Sequence, residues 1–158
     1  MNVKAYLKIK VTDENGKCIY YRRYRSRSFV IGFLNVIFTN LSGQGVTNTS
    51  TNGTQYTANI EDEINVNDSS NDDNYGIQIG TGTTTPSIVD SRLSSLITNG
   101  TGAGQMQYGG VNVTVSEVGA YANAGGTAYF ILHDLLPSPI TLSPNQVLTV
   151  VYTITIST

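Results

Sequence analysis

The sequence predicts a mainly β protein: an antiparallel β-sandwich, jelly-roll-like, with one α-helix in the N-terminal half of the chain. Three observations predict this class. Apolar and polar residues alternate with a period of two over residues 147–156, as they do along a half-buried strand. Asn15-Gly16, a strong hairpin signal, separates two alternating runs near the start of the chain. Residues 28–43 show the apolar spacing of a helix.

The first two predicted strands form a basic hairpin. Residues 3–11 alternate, with three lysines on one face, and residues 18–25 return after the turn with three arginines. Lysine and arginine on an exposed hairpin protect a sheet edge from unwanted pairing. We therefore expect residues 1–27 to form a basic β-hairpin that extends to a neighbouring subunit.

Residues 28–43 predict an amphipathic helix packed on a sheet. Ser28 or Ser26 is placed to cap its N-terminus, and Gly43 is placed to end it. A helix lying on a membrane fits less well, since the segment carries no lysine or arginine on its polar face. The main apolar stripe of the predicted helix comprises Phe29, Phe33, Val36 and Ile37.

The middle of the chain predicts short strands within polar loops. Residues 44–75 are rich in Thr, Asn, Ser, Gly and Asp, with strands expected near residues 55–60 and 63–66. Residues 76–80 predict a short buried strand, and residues 105–108 predict another. The segments between these strands are expected to be loops and a short helical or irregular bridge.

Three long antiparallel strands are predicted for the last third of the chain, and they form the predicted core. Residues 111–116 and 147–156 alternate, whereas residues 127–136 are apolar enough to be buried on both faces. Residues 123–126 predict the first connecting turn. The run Pro137-Ser138-Pro139 is expected to break the middle strand from the last.

Length, charge and cysteine content narrow the classes of function. At 158 residues the chain suits one domain, predicted as residues 1–158. Charged residues make up 13% and the net charge is −2, which argues against a dedicated nucleic-acid partner. The single cysteine, Cys18, allows no internal disulfide and gives no metal-ligand set. No apolar run approaches the ~20 residues of a membrane span, and no cofactor is expected.

Charge is distributed unevenly along the chain. Eight of the nine basic residues lie within the first 27 positions, and acidic residues cluster between residues 61 and 73. Such polarity suits head-to-tail contact between copies, although two solvated faces explain it equally well. The assembly contact expected on the basic hairpin comprises Lys4, Lys8, Lys10, Arg22, Arg23 and Arg25.

Two polar segments match known ligand sites only in part. Residues 65–74 offer many oxygen ligands for a hard cation such as calcium, but they lack the glycine and glutamate spacing of an EF-hand loop. The glycines of residues 80–85 lack the Gly-Lys-Ser/Thr ending of a phosphate-binding loop. A solvated acidic loop and a turn, respectively, are the favoured interpretations.

Two further positions invite a chemical interpretation. His133 precedes Asp134, but adjacent side chains of a strand point to opposite faces and cannot readily pair, so a structural role is favoured.

Glu117 interrupts the alternation of its strand, which predicts a β-bulge at residues 116–117. A partly buried Glu117 needs a partner, and Arg92 is the only basic residue outside the N-terminal region. We therefore predict a structural ion pair between Arg92 and Glu117, and no catalytic residues.

Three pieces of sequence, taken in order, resemble a known class of protein. They are residues 25–34 (RSRSFVIGFL), residues 79–86 (IGTGTTTP) with Asp90 and Leu93, and residues 116–121 (SEVGAY), before an apolar strand and a PSPITLSPNQVLTVVY ending. This order resembles small structural proteins of tailed bacteriophages and archaeal viruses, described as tail, fibre or head-associated proteins. The resemblance covers residues 25–156. It implies a virion component with a β-sandwich that works by assembling, and it carries over no catalytic residue.

The expected function is that of a virion structural subunit, in a capsid, a capsid decoration or a tail. It would act by self-assembly and by contact with other virion proteins. The first alternative is a receptor- or carbohydrate-binding module on a virion or cell surface, using exposed tyrosines and the polar loops of residues 44–75. The second is a surface filament subunit, which should carry an export signal that the sequence does not show. An enzyme is not expected, because no acid, base and nucleophile converge in the sequence.

Overall fold

The computed structural model describes residues 2–26, 28–58, 66, 76–97, 105–107, 111–124 and 127–157. Within these residues the chain is mainly β with one α-helix, and its sheets are antiparallel and open. The predicted class, mainly β with a helix in the N-terminal half, is therefore confirmed. The sandwich arrangement and the jelly-roll-like topology stay predictions.

The described elements form two larger sheets, a small hairpin and one helix. The strands are β1 (Asn2–Thr12), β2 (Cys18–Ser26), β3 (Val46–Thr49), β4 (Gln55–Ala58), β5 (Gly76–Gly80), β6 (Gln105–Gln107), β7 (Val113–Ala124), β8 (Thr127–Leu142) and β9 (Val147–Ser157), and the helix is α1 (Ile31–Ser42). Sheet A has the strand order β2-β1-β9-β6, and sheet B has the order β5-β7-β8. β3 and β4 pair with each other.

Sheet A joins the two ends of the described chain. β1 pairs with β9 along its whole length, from Asn2 opposite Ser157 to Thr12 opposite Val147. The apolar odd-numbered residues of β1 from position 5 to 11 are almost completely buried, so its lysines take the opposite face. The basic hairpin is thus an integral part of sheet A. Its extension to a neighbouring subunit stays a prediction.

Side chains of sheets A and B share one buried apolar cluster. Its members on sheet A are Leu7, Ile9, Val11, Leu148 and Val150, and its members on sheet B are Ile79, Val115, Val118, Leu136, Ile140 and Leu142. A polar contact also links the sheets, because the Tyr152 hydroxyl of β9 donates a 2.8 Å hydrogen bond to the Asp134 carboxylate of β8. We call the buried apolar cluster between the two sheets the shared core. Removal of apolar area from water is the main force that stabilises it.

Two prolines lie within β8 and do not end it. Pairing of β7 with β8 runs up to Glu117 opposite Leu135, breaks, and resumes with Val115 opposite Ile140. This register shift confirms the predicted β-bulge. The prediction that residues 137–139 break the strand is wrong. They are exposed and lie in the bulge, where proline does not have to donate a ladder hydrogen bond.

α1 is the predicted helix, but its start differs from the prediction. It ends as expected at Gly43, whose left-handed backbone (φ 71°) suits glycine. At its start Val30 is the N-cap residue, and no side chain caps the helix. The predicted caps are engaged elsewhere: the Ser28 hydroxyl donates to the Asp134 carboxylate, and the Ser26 hydroxyl accepts a hydrogen bond from the Ser28 N–H.

The irregular segment of residues 81–97 covers the face of sheet B that points away from the shared core. Leu93 from this segment packs in a buried cluster with Val30, Tyr121 and Phe130. Its N–H also donates a 2.8 Å hydrogen bond to the Tyr121 hydroxyl. We call the side of sheet B that residues 81–97 cover the covered face. A buried polar cluster lies beneath this segment.

Candidate functional site

A buried imidazole lies between two carboxylates on the covered face of sheet B. His133 Nε2 lies 3.0 Å from Glu117 Oε2, and His133 Nδ1 lies 2.7 Å from Asp90 Oδ2. His133 and Glu117 are 1% and 0% exposed, whereas the Asp90 side chain is 24% exposed. We call these three side chains the Glu117–His133–Asp90 cluster. Burial of several titratable groups makes it the first candidate for a functional site.

Strand pairing places Glu117 next to His133. In the pairing of β7 with β8, Gly119 lies opposite His133 and Glu117 lies opposite Leu135. Glu117 and His133 are therefore diagonal neighbours on one face of the sheet, within reach of long side chains. Asp90 belongs to residues 81–97, which we call the covering segment, and its carboxylate contacts Nδ1 of the His133 ring.

The β-bulge decides which face Glu117 occupies. Val115 and Val118 both belong to the shared core, although three positions separate them. The extra residue of the bulge shifts the alternation by one, so Glu117 points to the covered face instead of into the shared core. The phase change visible in the sequence is thus the feature that builds the cluster.

The Glu117 carboxylate accepts five hydrogen bonds. The donors are the N–H groups of Gly82 (3.1 Å), Ser94 (3.1 Å) and Ser95 (2.7 Å), the Ser94 hydroxyl (2.8 Å) and the His133 ring (3.0 Å). Burial alone would raise the pKa of Glu117, but the hydrogen bonds from His133, Ser95 and Ser94 outweigh burial and lower this pKa to about 2. Glu117 is therefore an ionised, fully buried group that ties residues 82–95 to β7.

The surroundings of His133 favour the protonated form of its imidazole. Burial acts to lower the pKa of His133, but hydrogen bonds and charge interactions with Glu117 and Asp90 outweigh burial and raise it above the ordinary 6.5. A protonated imidazole donates from both nitrogens, which matches an acceptor on each side.

Two glycines leave room for the Glu117 carboxylate. A Cβ atom at Gly80 or Gly82 would collide with the Glu117 side chain, and one at Gly82 would also collide with the Ser94 hydroxyl. The constraint is space, since neither glycine has a positive φ. The glycine motif of residues 80–85 therefore surrounds a carboxylate of this same chain.

The ion pair predicted between Arg92 and Glu117 does not form. The cation beside Glu117 is His133, and Arg92 is exposed. A histidine is a partner for a carboxylate only when it is protonated, so the sequence alone points to arginine and not to His133. The raised pKa of His133 depends on residues 16 and 43 positions away, a separation that no local spacing reveals. Arg92 instead lines an open cleft of about 290 Å³ with Thr51, Asn52, Leu93, Ser94, Leu96 and Tyr121.

His133 and Asp134 point to opposite faces of β8, as the sequence predicts. His133 belongs to the cluster on the covered face, whereas Asp134 accepts hydrogen bonds from Tyr152 and Ser28 on the other side of the sheet. Each of the two side chains therefore joins β8 to a different part of the molecule.

The six basic residues predicted as an assembly contact do not all share one face of sheet A. Arg23 pairs with Lys8 and Arg25 pairs with Tyr6, on the face opposite the shared core, whereas Arg22 pairs with the buried Ile9. Lys4, Lys8, Lys10, Arg23 and Arg25 therefore lie together, and Arg22 lies on the other face. Their role as an assembly contact stays a prediction.

The polar atoms of the cluster are hydrogen-bonded to one another. Both imidazole nitrogens face carboxylates, and the Ser94 hydroxyl donates to Glu117 and not to the imidazole. Within the part of the chain that the structure describes, no group of three His, Cys, Asp or Glu residues is arranged to hold a metal ion. Of residues 65–74, predicted to be a solvated acidic loop, all but Val66 lie outside the described residues.

Comparison with protein-family models, curated proteins and solved structures finds no match for this chain. Among the described elements, no helix has the length and apolar character needed to cross a bilayer.

Glu117→Gln tests whether the carboxylate fastens residues 82–95 to sheet B. The amide presents an NH₂ group to some of the five donors, so at least one buried donor loses its acceptor, and His133 loses a counter-charge. We expect the free energy of unfolding, measured by urea titration, to fall by about 3 kcal/mol. Glu14→Gln, in the exposed β1–β2 turn, is the matched control and should change it little. Equal stability of the two variants would contradict the interpretation.

The cluster also predicts how stability depends on pH. The folded pKa of Glu117 lies below the ordinary 4.5, so its contribution is complete above about pH 4.5 and is lost as the pH falls towards 2. The folded pKa of His133 lies above 6.5, so its contribution is complete below pH 6.5 and is lost as the pH rises through the folded pKa. Urea titrations across pH should therefore show the greatest stability between about 4.5 and 6.5.

His133→Gln is the control for the alkaline side of this profile. The chain has one histidine, so the variant should lose the decline in stability that begins above about pH 6.5. It should still be destabilised by acid, because Glu117 keeps its four donors from Gly82, Ser94 and Ser95. An unchanged alkaline decline in the variant would exclude His133 as its origin.

Proposed function

We propose that this chain is a structural subunit of a virus particle, acting by self-assembly and not by catalysis. The observation that carries the proposal is an exposed, uncharged apolar face on α1. The choice of a virus particle rests on the sequence resemblance over residues 25–156. A β-sandwich built from sheets A and B is part of the proposal, and the shared core supports it.

α1 buries one apolar face and exposes another. Phe33 and Val36 are buried against the sheet side. The second face is formed by Ile31, Leu34, Phe38 and Leu41, whose exposed fractions are 41%, 45%, 52% and 74%. We call these four residues the α1 stripe. Their spacing of three, four and three residues is that of the apolar seam along which two helices pack. α1 contains no charged residue that would oppose such packing.

The apolar surface continues beyond the helix. The Ile31 N–H donates a 2.7 Å hydrogen bond to the Ile88 carbonyl, so the turn at residues 87–90 lies beside the start of α1. Ile88 and Val89 in that turn are themselves exposed. Contiguous apolar surface of this kind is uncommon on monomers and marks interaction sites. A second copy of the chain is the partner proposed for it.

The Glu117–His133–Asp90 cluster supports a non-catalytic role. Its polar atoms bind each other and the backbone of residues 82–95. Two of the three sequence pieces that carry the viral resemblance meet there: residues 79–86 with Asp90, and residues 116–121 through Glu117. These motifs therefore supply the space and the carboxylates of the cluster, a structural role that needs no catalysed reaction.

A receptor- or carbohydrate-binding module is the second candidate function. The cleft beside Arg92 favours it, because tyrosine, asparagine, serine and arginine side chains meet there around about 290 Å³ of space. That volume lies near the lower limit for small-ligand pockets. Binding of glycans by the isolated monomer would favour this candidate over self-assembly.

The double variant Leu34→Gln/Phe38→Gln tests self-assembly through the α1 stripe. Both side chains are exposed in the isolated chain, so the substitutions should leave the fold intact. Burial of a large apolar side chain contributes about 1.5–3 kcal/mol, so loss of two such contacts should weaken association at least a hundredfold. We expect light scattering after size-exclusion chromatography to show an oligomer for the natural chain and a monomer for the variant.

Val111→Gln provides the matched control for this experiment. Val111 is an exposed apolar residue outside α1, so its replacement should leave the oligomer intact. A natural chain that stays monomeric at high concentration, or a control that dissociates as completely as the double variant, would overturn assembly through the α1 stripe.

A further inference from the structure

Sheet A carries positive charge and no negative charge. Its four strands contain six of the nine lysines and arginines of the chain and none of its eleven aspartates and glutamates. Among the described residues, the ion pairs all involve His133 and none involves these six cations. We call the side of sheet A that points away from the shared core the outer face. Its charged and aromatic members on β1 and β2 are Lys4, Tyr6, Lys8, Lys10, Tyr21, Arg23 and Arg25.

The strand register sets like charges against each other on the outer face. Lys8 lies directly opposite Arg23 in the β1–β2 pair, an arrangement that destabilises a sheet. On the other side of β1, the β9 residues opposite Lys4, Lys8 and Lys10 are threonines and a valine, which do not neutralise them. A bound anion would relieve this repulsion. Residues two apart on one strand face, such as Lys8 and Lys10, lie about 6.7 Å from each other, so the cations form a row suited to a polymer of anions.

Tyrosine rings lie among these cations. The Arg23 guanidinium lies over the Tyr6 ring, 4.9 Å from its centroid, and Tyr21 is exposed opposite Lys10. Guanidinium planes and tyrosine rings are surfaces on which unpaired bases stack, whereas the lysines supply charge for the phosphates. An acidic peptide would use the charges but would have no group that requires the rings.

We propose that the outer face of sheet A binds single-stranded nucleic acid. The open antiparallel sheet presents charge and stacking groups on one side, and phosphates and bases supply the complementary chemistry. The net charge of −2, which predicted no nucleic-acid partner, is an average over the chain and conceals this segregated positive face. Because the face shares no residue with the α1 stripe, its binding is measured separately from self-assembly.

Fluorescence anisotropy with a labelled oligothymidylate of about 15 nucleotides tests the proposal, since such surfaces cover up to about 16 nucleotides. The natural chain should bind with a slope of log K against log salt near −3, as expected for four or five phosphate contacts. Arg23→Gln should weaken binding about tenfold and make the slope shallower by about 0.7. Tyr21→Leu should weaken binding about tenfold with little change in the slope, because it removes stacking and no charge.

Arg22→Gln is the matched control, since it removes the same charge from the neighbouring residue on the opposite side of β2. It should retain the affinity and the salt slope of the natural chain. A peptide of residues 59–75 of this chain and polyglutamate serve as competing acidic probes. Absence of oligothymidylate binding, equal losses for Arg22→Gln and Arg23→Gln, or tighter binding of an acidic probe with no effect of Tyr21→Leu would overturn the proposal. The last result would indicate an acidic segment of a neighbouring copy as the partner.

Discussion

The structure depends on keeping one carboxylate ionised and buried. Removing a carboxylate from water is costly unless hydrogen bonds and an opposite charge compensate. Glu117 receives this compensation from the His133 ring and from donors of three residues in the covering segment. The need for compensation fixes the course of residues 82–95 over sheet B. The same need requires glycine at positions 80 and 82, where a Cβ would occupy the space of the carboxylate.

The buried polar groups of the molecule and two of its exposed surfaces differ in where their partners lie. The cluster and the Asp134–Tyr152 contact satisfy buried polar groups within the chain. Two surface regions have no such internal complement among the described residues: the α1 stripe lacks apolar cover, and the outer face of sheet A lacks acidic partners. The proposed functions follow from these two surfaces, because each calls for a partner of different chemistry, one apolar and one anionic.

Local signals predicted the elements better than the contacts between them. The period of two, the phase change at the bulge and Gly43 each depend on neighbouring residues, so the strands, the bulge and the helix end could be predicted. The run at residues 137–139 was misread because proline usually ends a strand, yet it is tolerated where pairing is already broken. The partner of Glu117 was missed because a histidine becomes a cation only through carboxylates brought together by the fold. The basic face was likewise hidden, since strand register decides which cations lie together.

The Glu117–His133–Asp90 cluster requires His133 to be a buried cation between two carboxylates. Nuclear magnetic resonance of the imidazole ring measures this directly, and the single histidine makes the assignment unambiguous. Both ring nitrogens should be protonated near pH 6, and the ring should titrate with a pKa above the ordinary 6.5. A pKa at or below 6.5, or a neutral ring with one unprotonated nitrogen in the folded protein near pH 6, would contradict it.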